Sequence, residues 1–104
     1  MSDITVDAIK RAVCLEFGIG MMDLMSQRKA REFSHPRQVA IYLASRLTAH
    51  SYPALGRFFA GRDHSTIKAA IRRIQAKMEE NPLVALGVTA LEDRIREPEL
   101  VEQF

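Results

Sequence analysis

The chain has no tryptophan, a single cysteine and an aromatic content of only 7%. A lone Cys14 excludes an internal disulfide framework, which needs at least two thiols. His35, His50 and His64 stand with it at separations matching no metal-ligand pattern, so no metal or other cofactor is expected. No apolar run approaches the roughly 20 residues that a membrane span requires. The N-terminus lacks the charged-then-apolar layout of a signal peptide, so a reduced, cytoplasmic protein is expected. With few rings available, the core must be built from Ile, Leu, Val, Ala and Met with a few Phe. That palette, beside abundant Arg and Lys, favours helices over strands. A length of 104 residues fits one domain.

Acidic residues are nearly missing from the middle of the chain. Between Ser26 and Arg73 stand ten Lys and Arg but only Glu32 and Asp63, a net of +8 inside a chain whose total is +2. From Glu79 onward there are seven acids and two bases. Such segregation is the footprint of a surface built for a polyanion, although charge alone does not separate DNA from RNA or an acidic protein.

Hydrophobic periodicity divides the chain into about six helices. Ser2 or Asp3 can open the first, with Val6, Ile9, Val13 and Phe17 on one stripe and Gly18 as a left-handed terminus. Met21, Met22, Leu24 and Met25 read as a short second helix whose methionines fill the core. Residues 26–35 are polar and basic without a period, so they read as an exposed loop, and Pro36 fits the first turn of the next helix. That helix carries Ala40, Leu43, Ala44 and Leu47 on one face. Pro53 opens a short helix with Leu55, Phe58 and Phe59 as core candidates, and Gly61 ends it. Asp63 can cap a further helix running to about Met78, with Ile67, Ala70, Ile71, Ile74 and Met78 at core spacing. After Asn81-Pro82, Val84, Val88, Leu91 and Ile95 align on a last helix. Cys14 reads as a small buried hydrophobe. The division expected is residues 1–78 as the main unit, with 79–104 an acidic helix and tail of the same domain.

The connection Ala60-Gly61-Arg62 between two helices is the outline of a helix-turn-helix. A recognition helix enters the major groove N-terminus first, so its first-turn side chains must be short or flat enough to reach base edges. His64, Ser65 and Thr66 meet that requirement, and the positive end of the helix favours nearby phosphates, with Arg62 and Lys68 flanking it. Read as a catalytic group, Asp63-His64-Ser65 fails, because neighbouring helical residues point about 100° apart and form no relay. The chain is therefore not expected to be an enzyme.

Three runs in order, RQVAIYLA from Arg37, LTAHSYPALG from Leu47 and FAGRDHSTI from Phe59, resemble the C-terminal DNA-binding domain of the bacterial replication initiator DnaA. The likeness spans about residues 4–78 and rests on two separate motifs, HPRQ and GRDHST. It implies a compact all-α bundle of about six helices with an embedded helix-turn-helix, of the TrpR/DnaA-domain type. It also implies binding to double-stranded DNA at a short asymmetric element, the DnaA box, in replication origins and some promoters. By resemblance, Lys29 stands where the family has a minor-groove arginine. Arg37 and Gln38 match backbone contacts, Asp63, His64 and Ser65 match base readers, and Thr66 matches a phosphate contact, with Arg62 beside them.

Three residues depart from the family pattern. Lys29 lacks the planar fork of arginine, so minor-groove readout weakens or passes to Arg28 or Arg31. Ser65 lacks the methyl of the family's threonine, and Ala60 replaces a glycine of the turn. No Gly-rich phosphate loop is present, so the initiator's ATP-dependent assembly is not expected of this chain. Met1 favours a freestanding protein, and the expected DNA binding would make it nucleoid-associated. Two other functions fit the same residues: nonspecific nucleoid binding, and a protein-interaction module for DnaA or another replication or regulatory protein. The acidic tail fits a solvated helix, a partner or dimer surface, or an electrostatic brake on DNA binding.

Overall fold

Side-chain caps open four of the six helices in the computed structural model, which describes residues 4–97. Those residues form six helices and no strand: α1 (Val6–Phe17), α2 (Met21–Met25), α3 (Arg31–Leu47), α4 (Tyr52–Phe58), α5 (His64–Glu80) and α6 (Pro82–Arg96). Thr5 caps α1 by accepting the Ala8 N–H at 3.1 Å, so the helix opens there; Ser2 and Asp3 lie outside the described residues. Gly18 ends it in the left-handed region. Ser51 caps α4, Asp63 caps α5 and Asn81 caps α6, each side chain accepting a backbone N–H of the first turn.

The core is organised around α3. Its residues Pro36 to Ala44 are all buried, so this helix is covered on every side rather than on one face. Helices α1, α2, α4 and α5 pack around it. Val6, Ile9, Val13, Leu24, Leu55, Phe59, Ile67 and Ile74 fill the spaces between, and α6 closes the bundle with Val88 and Leu91. Two ion pairs fasten α6: Arg46 of α3 reaches Glu92 at 2.7 Å, and Arg94 pairs with Glu16 of α1. Hydrogen bonds from Arg46 hold the Glu92 carboxyl below its usual range.

Several boundaries and packing assignments differ from the sequence reading, each for a physical reason. The loop after α2 is shorter than expected, because α3 begins at Arg31 and Pro36 is its sixth residue. A proline there forfeits one backbone bond. The turn ahead of it is held by tertiary contacts: Phe33 lies under the Arg28 guanidinium at 5.2 Å, and His35 meets Phe17 edge-on at 5.5 Å. In α2 only Leu24 is buried, and Met22 is 88% exposed, because one short turn of helix can present only one side to α3. Phe58 also stays partly exposed, leaving Phe59 as the aromatic of the core. Cys14 is half-buried at the edge of the core, where burial raises its thiol pKa.

The turn between α4 and α5 is the tightest point of the fold. Ala60 and Gly61 both have positive φ, 63° and 74°. The Arg62 N–H then folds back to donate to the carbonyl of Gly56 at 3.0 Å, inside α4. A Cβ on Gly56 would collide with the Arg62 carbonyl oxygen, which is backbone and cannot swing aside. Gly56→Ala is therefore expected to cost about 3 kcal/mol or more in a urea unfolding measurement, since the turn must lift off α4. Ala60→Gly should instead stabilise by about 1 kcal/mol, by relieving the left-handed alanine. A neutral Gly56→Ala would contradict this packing.

Candidate nucleic-acid interface

The turn fixes the direction of α5 and exposes its first residues. The Asp63 carboxylate accepts the Thr66 N–H at 3.0 Å and the Ser65 hydroxyl at 2.8 Å. Those bonds, the Thr66 backbone first, hold the Asp63 carboxyl below its ordinary pKa. Beyond the cap, His64 and Lys68 are exposed on one stripe of α5, with Arg72 four residues further. Ser65, Ala69 and Arg73 form a second exposed stripe beside it.

The second stripe borders a concavity of about 560 Å³ between α5, the start of α3 and the loop after α2. Lys29, Arg37, Gln38, Arg62, Ser65 and Thr66 line it, residues drawn from three separate stretches of sequence. Arg73, Gln27 and Ser34 complete its polar wall, and no lining residue is acidic. Asp63, His64 and Lys68 stand outside its lining, as does Arg28, which covers the Phe33 ring. Four cations around one groove create a positive potential that low-dielectric walls strengthen.

Two of those cations are turned inward. Arg37, only 8% exposed, donates from Nε to the Leu24 carbonyl at 2.8 Å and from Nη1 to the Arg28 carbonyl at 3.0 Å. Arg62 donates to the Phe59 carbonyl at 2.8 Å and the Ser26 carbonyl at 2.6 Å. Burial lowers the pKa of both, and for Arg37 the neighbouring Arg62 adds to the effect. A guanidinium nevertheless stays protonated in a protein.

A family model described as bacterial DnaA protein helix-turn-helix matches residues 6–74. The chain belongs to the DnaA helix-turn-helix family. It is 51% identical over 73 residues to the chromosomal replication initiator protein DnaA of Sphingopyxis alaskensis, an alignment covering 70% of this chain and 16% of that protein. It is 39% identical over 93 residues to DnaA of Caulobacter sp. strain K31, covering 89% of this chain and 19% of the relative. DnaA of Magnetococcus marinus gives 37% over 93 residues, covering 89% and 21%. The chain thus spans about a fifth or less of the length of these relatives. Membership makes it a helix-turn-helix domain of the DNA-binding class.

In this DnaA-family domain the groove has a second layer that the sequence did not announce. Gln38, nearly buried, accepts from the Lys77 ammonium at 3.0 Å, and the same ammonium lies 3.1 Å from His35 Nδ1. An ammonium has no lone pair, so His35 Nδ1 must be the acceptor and the ring is neutral with its proton on Nε2. Burial, then Lys77 and Arg31, lower the His35 pKa. Arg73 had a local signal in the spacing 65, 69, 73, whereas Lys77 meets Gln38 only through the crossing of α3 and α5. Because the unfolded imidazole binds a proton more readily than the folded one, stability should fall as pH drops below about 6.5 and be lost through the lower folded value. Urea unfolding between pH 7.5 and 5 should show that decline, and His35→Gln should flatten it. An NMR titration placing the His35 pKa above that of a free imidazole would reverse the sign and contradict the arrangement.

Proposed function

We propose that this chain binds double-stranded DNA sequence-specifically, at an element resembling the DnaA box. The observation that carries the reading is that Lys29, Gln38, Ser65 and Thr66, distant in sequence, border one acid-free groove beside the exposed start of α5. In this reading α5 enters the major groove with its N-terminus leading. His64 and Ser65 read base edges, and Asp63 combines base contact with its capping role. Thr66 and the free N–H groups of the first turn face a phosphate. Lys29 extends from its loop toward the adjacent minor groove, with Arg28 beside it, and Lys68 and Arg73 neutralise backbone charge along the sides. Helices α1 to α5 form the reading unit, and α6, with the acidic end of the chain, belongs to the same domain. The function needs no nucleotide and no catalytic step, and it places the protein on the nucleoid, where other replication proteins meet the same DNA.

Base and phosphate contacts have different signatures, which makes the assignment testable. His64→Ala should reduce the preference for a DnaA-box duplex over a scrambled one by about 1–3 kcal/mol per lost base contact while leaving the melting temperature unchanged. Lys68→Ala should weaken both duplexes alike and lower the slope of log K against log salt by about 0.9. Fluorescence anisotropy on both duplexes checks each expectation. A His64→Ala protein that keeps its full preference would remove α5 from the reading role.

A further inference from the structure

Lys29 is the first residue beyond a stretch of backbone tied down from two sides. Arg37 spans acceptors on both sides of the end of α2: the Asp23 and Leu24 carbonyls, the Ser26 hydroxyl and, at the far end, the Arg28 carbonyl. Arg62 holds the same segment from the turn of the helix-turn-helix, through the Ser26 carbonyl, while its other arm holds the Phe59 carbonyl. The loop is therefore strung between α3 and the turn that aims α5. The acceptors are backbone carbonyls and one hydroxyl, all neutral. Among the described residues neither guanidinium pairs with a carboxylate, so both charges remain in the groove while their hydrogen bonds face the protein. Swinging Arg37 out to a phosphate would strip a partner from the buried Leu24 carbonyl and from the half-buried Arg28 and Asp23 carbonyls, at a cost comparable to the strength of the new phosphate bond.

We propose that Arg37 and Arg62 are positioning residues that set where Lys29 stands relative to the first turn of α5, so that Arg37 serves DNA binding through the loop. The inference rests on the DNA-binding reading above and gives Arg37 a different route from the direct backbone contact that the resemblance implies. Lysine at position 37 keeps the charge but cannot span these separated acceptors with a planar fork. The two routes therefore predict different couplings.

The test uses Arg37→Lys, Lys29→Ala and the double variant, in the full chain. In DNA-free protein, exchange of the Ser26 and Arg28 amides, the hydrogen-bonded N–H groups of this loop, should quicken about tenfold in Arg37→Lys, with Ile71 and Ile74 unchanged. On a DnaA-box duplex, Arg37→Lys should lose about tenfold in affinity in the wild-type background and less than twofold once Lys29 is alanine. Equal losses in both backgrounds would make Arg37 an independent phosphate contact and overturn the proposal, as would unchanged loop exchange. Arg62→Lys loosens the same segment from the other end and carries the same expectations should Arg37→Lys not fold. If the wild type binds no duplex, the DNA reading fails, and the exchange measurement still decides whether the clamp holds the loop.

Discussion

The geometry of the helix-turn-helix depends on the contact between Arg62 and the backbone of Gly56. The Arg62 N–H reaches the Gly56 carbonyl, and its own carbonyl rests where any side chain on Gly56 would be. That approach sets the angle between α4 and α5 and places Asp63 to cap the second helix. It also delivers the Arg62 guanidinium to the Ser26 carbonyl. One backbone constraint thus orients α5 and one end of the basic loop together. The cost is a left-handed alanine at position 60, held between the buried Phe59 and the Arg62 N–H that closes the turn onto Gly56.

Around that turn, α3, buried from Pro36 to Ala44, is the support for the groove. Its middle is buried among apolar residues, while Arg37 and Gln38 are the buried polar groups near its start. Both are satisfied: Arg37 by the loop after α2, Gln38 by Lys77 of α5. Buried polar groups that are fully hydrogen-bonded favour one arrangement over its neighbours, because any shift leaves a partner unpaired. A rigid wall with basic side chains is what a phosphate-lined duplex requires. The acidic residues lie mostly on other elements, where Glu16 and Glu92 bind α6 to the rest of the bundle.

Local chemistry was readable in the sequence where it is local in the structure. The Asp63 cap, the left-handed Gly18, the core stripe of α5 and the short α4 follow from spacing and residue type. The start of α3 did not, because Pro36 is a strong punctuation mark and the turn before it is stabilised by Arg28 over Phe33 and by Phe17 against His35. Exposure of Met22 was equally hidden, since composition does not say which side of a five-residue helix faces inward. For the groove, residue types and the family motif singled out Lys29, Arg37, Gln38, Arg62, Ser65 and Thr66, and these six line one concavity. The inward direction of Arg37 and Arg62 and the Lys77–Gln38 pair belong to the packing of α3 against α5. Pairings of that kind leave no periodic trace in the chain.

The proposed function requires that this fold recognise one particular duplex. Fluorescence-anisotropy titrations of the wild-type chain on a DnaA-box duplex and a scrambled duplex of equal length, at two salt concentrations, address it most directly. The account predicts at least tenfold tighter binding to the box at both concentrations, with both affinities falling as salt rises. Equal affinity for the two duplexes would leave a nonspecific binder, and no binding to either would point to a fold kept for protein partners; each result would contradict the claim.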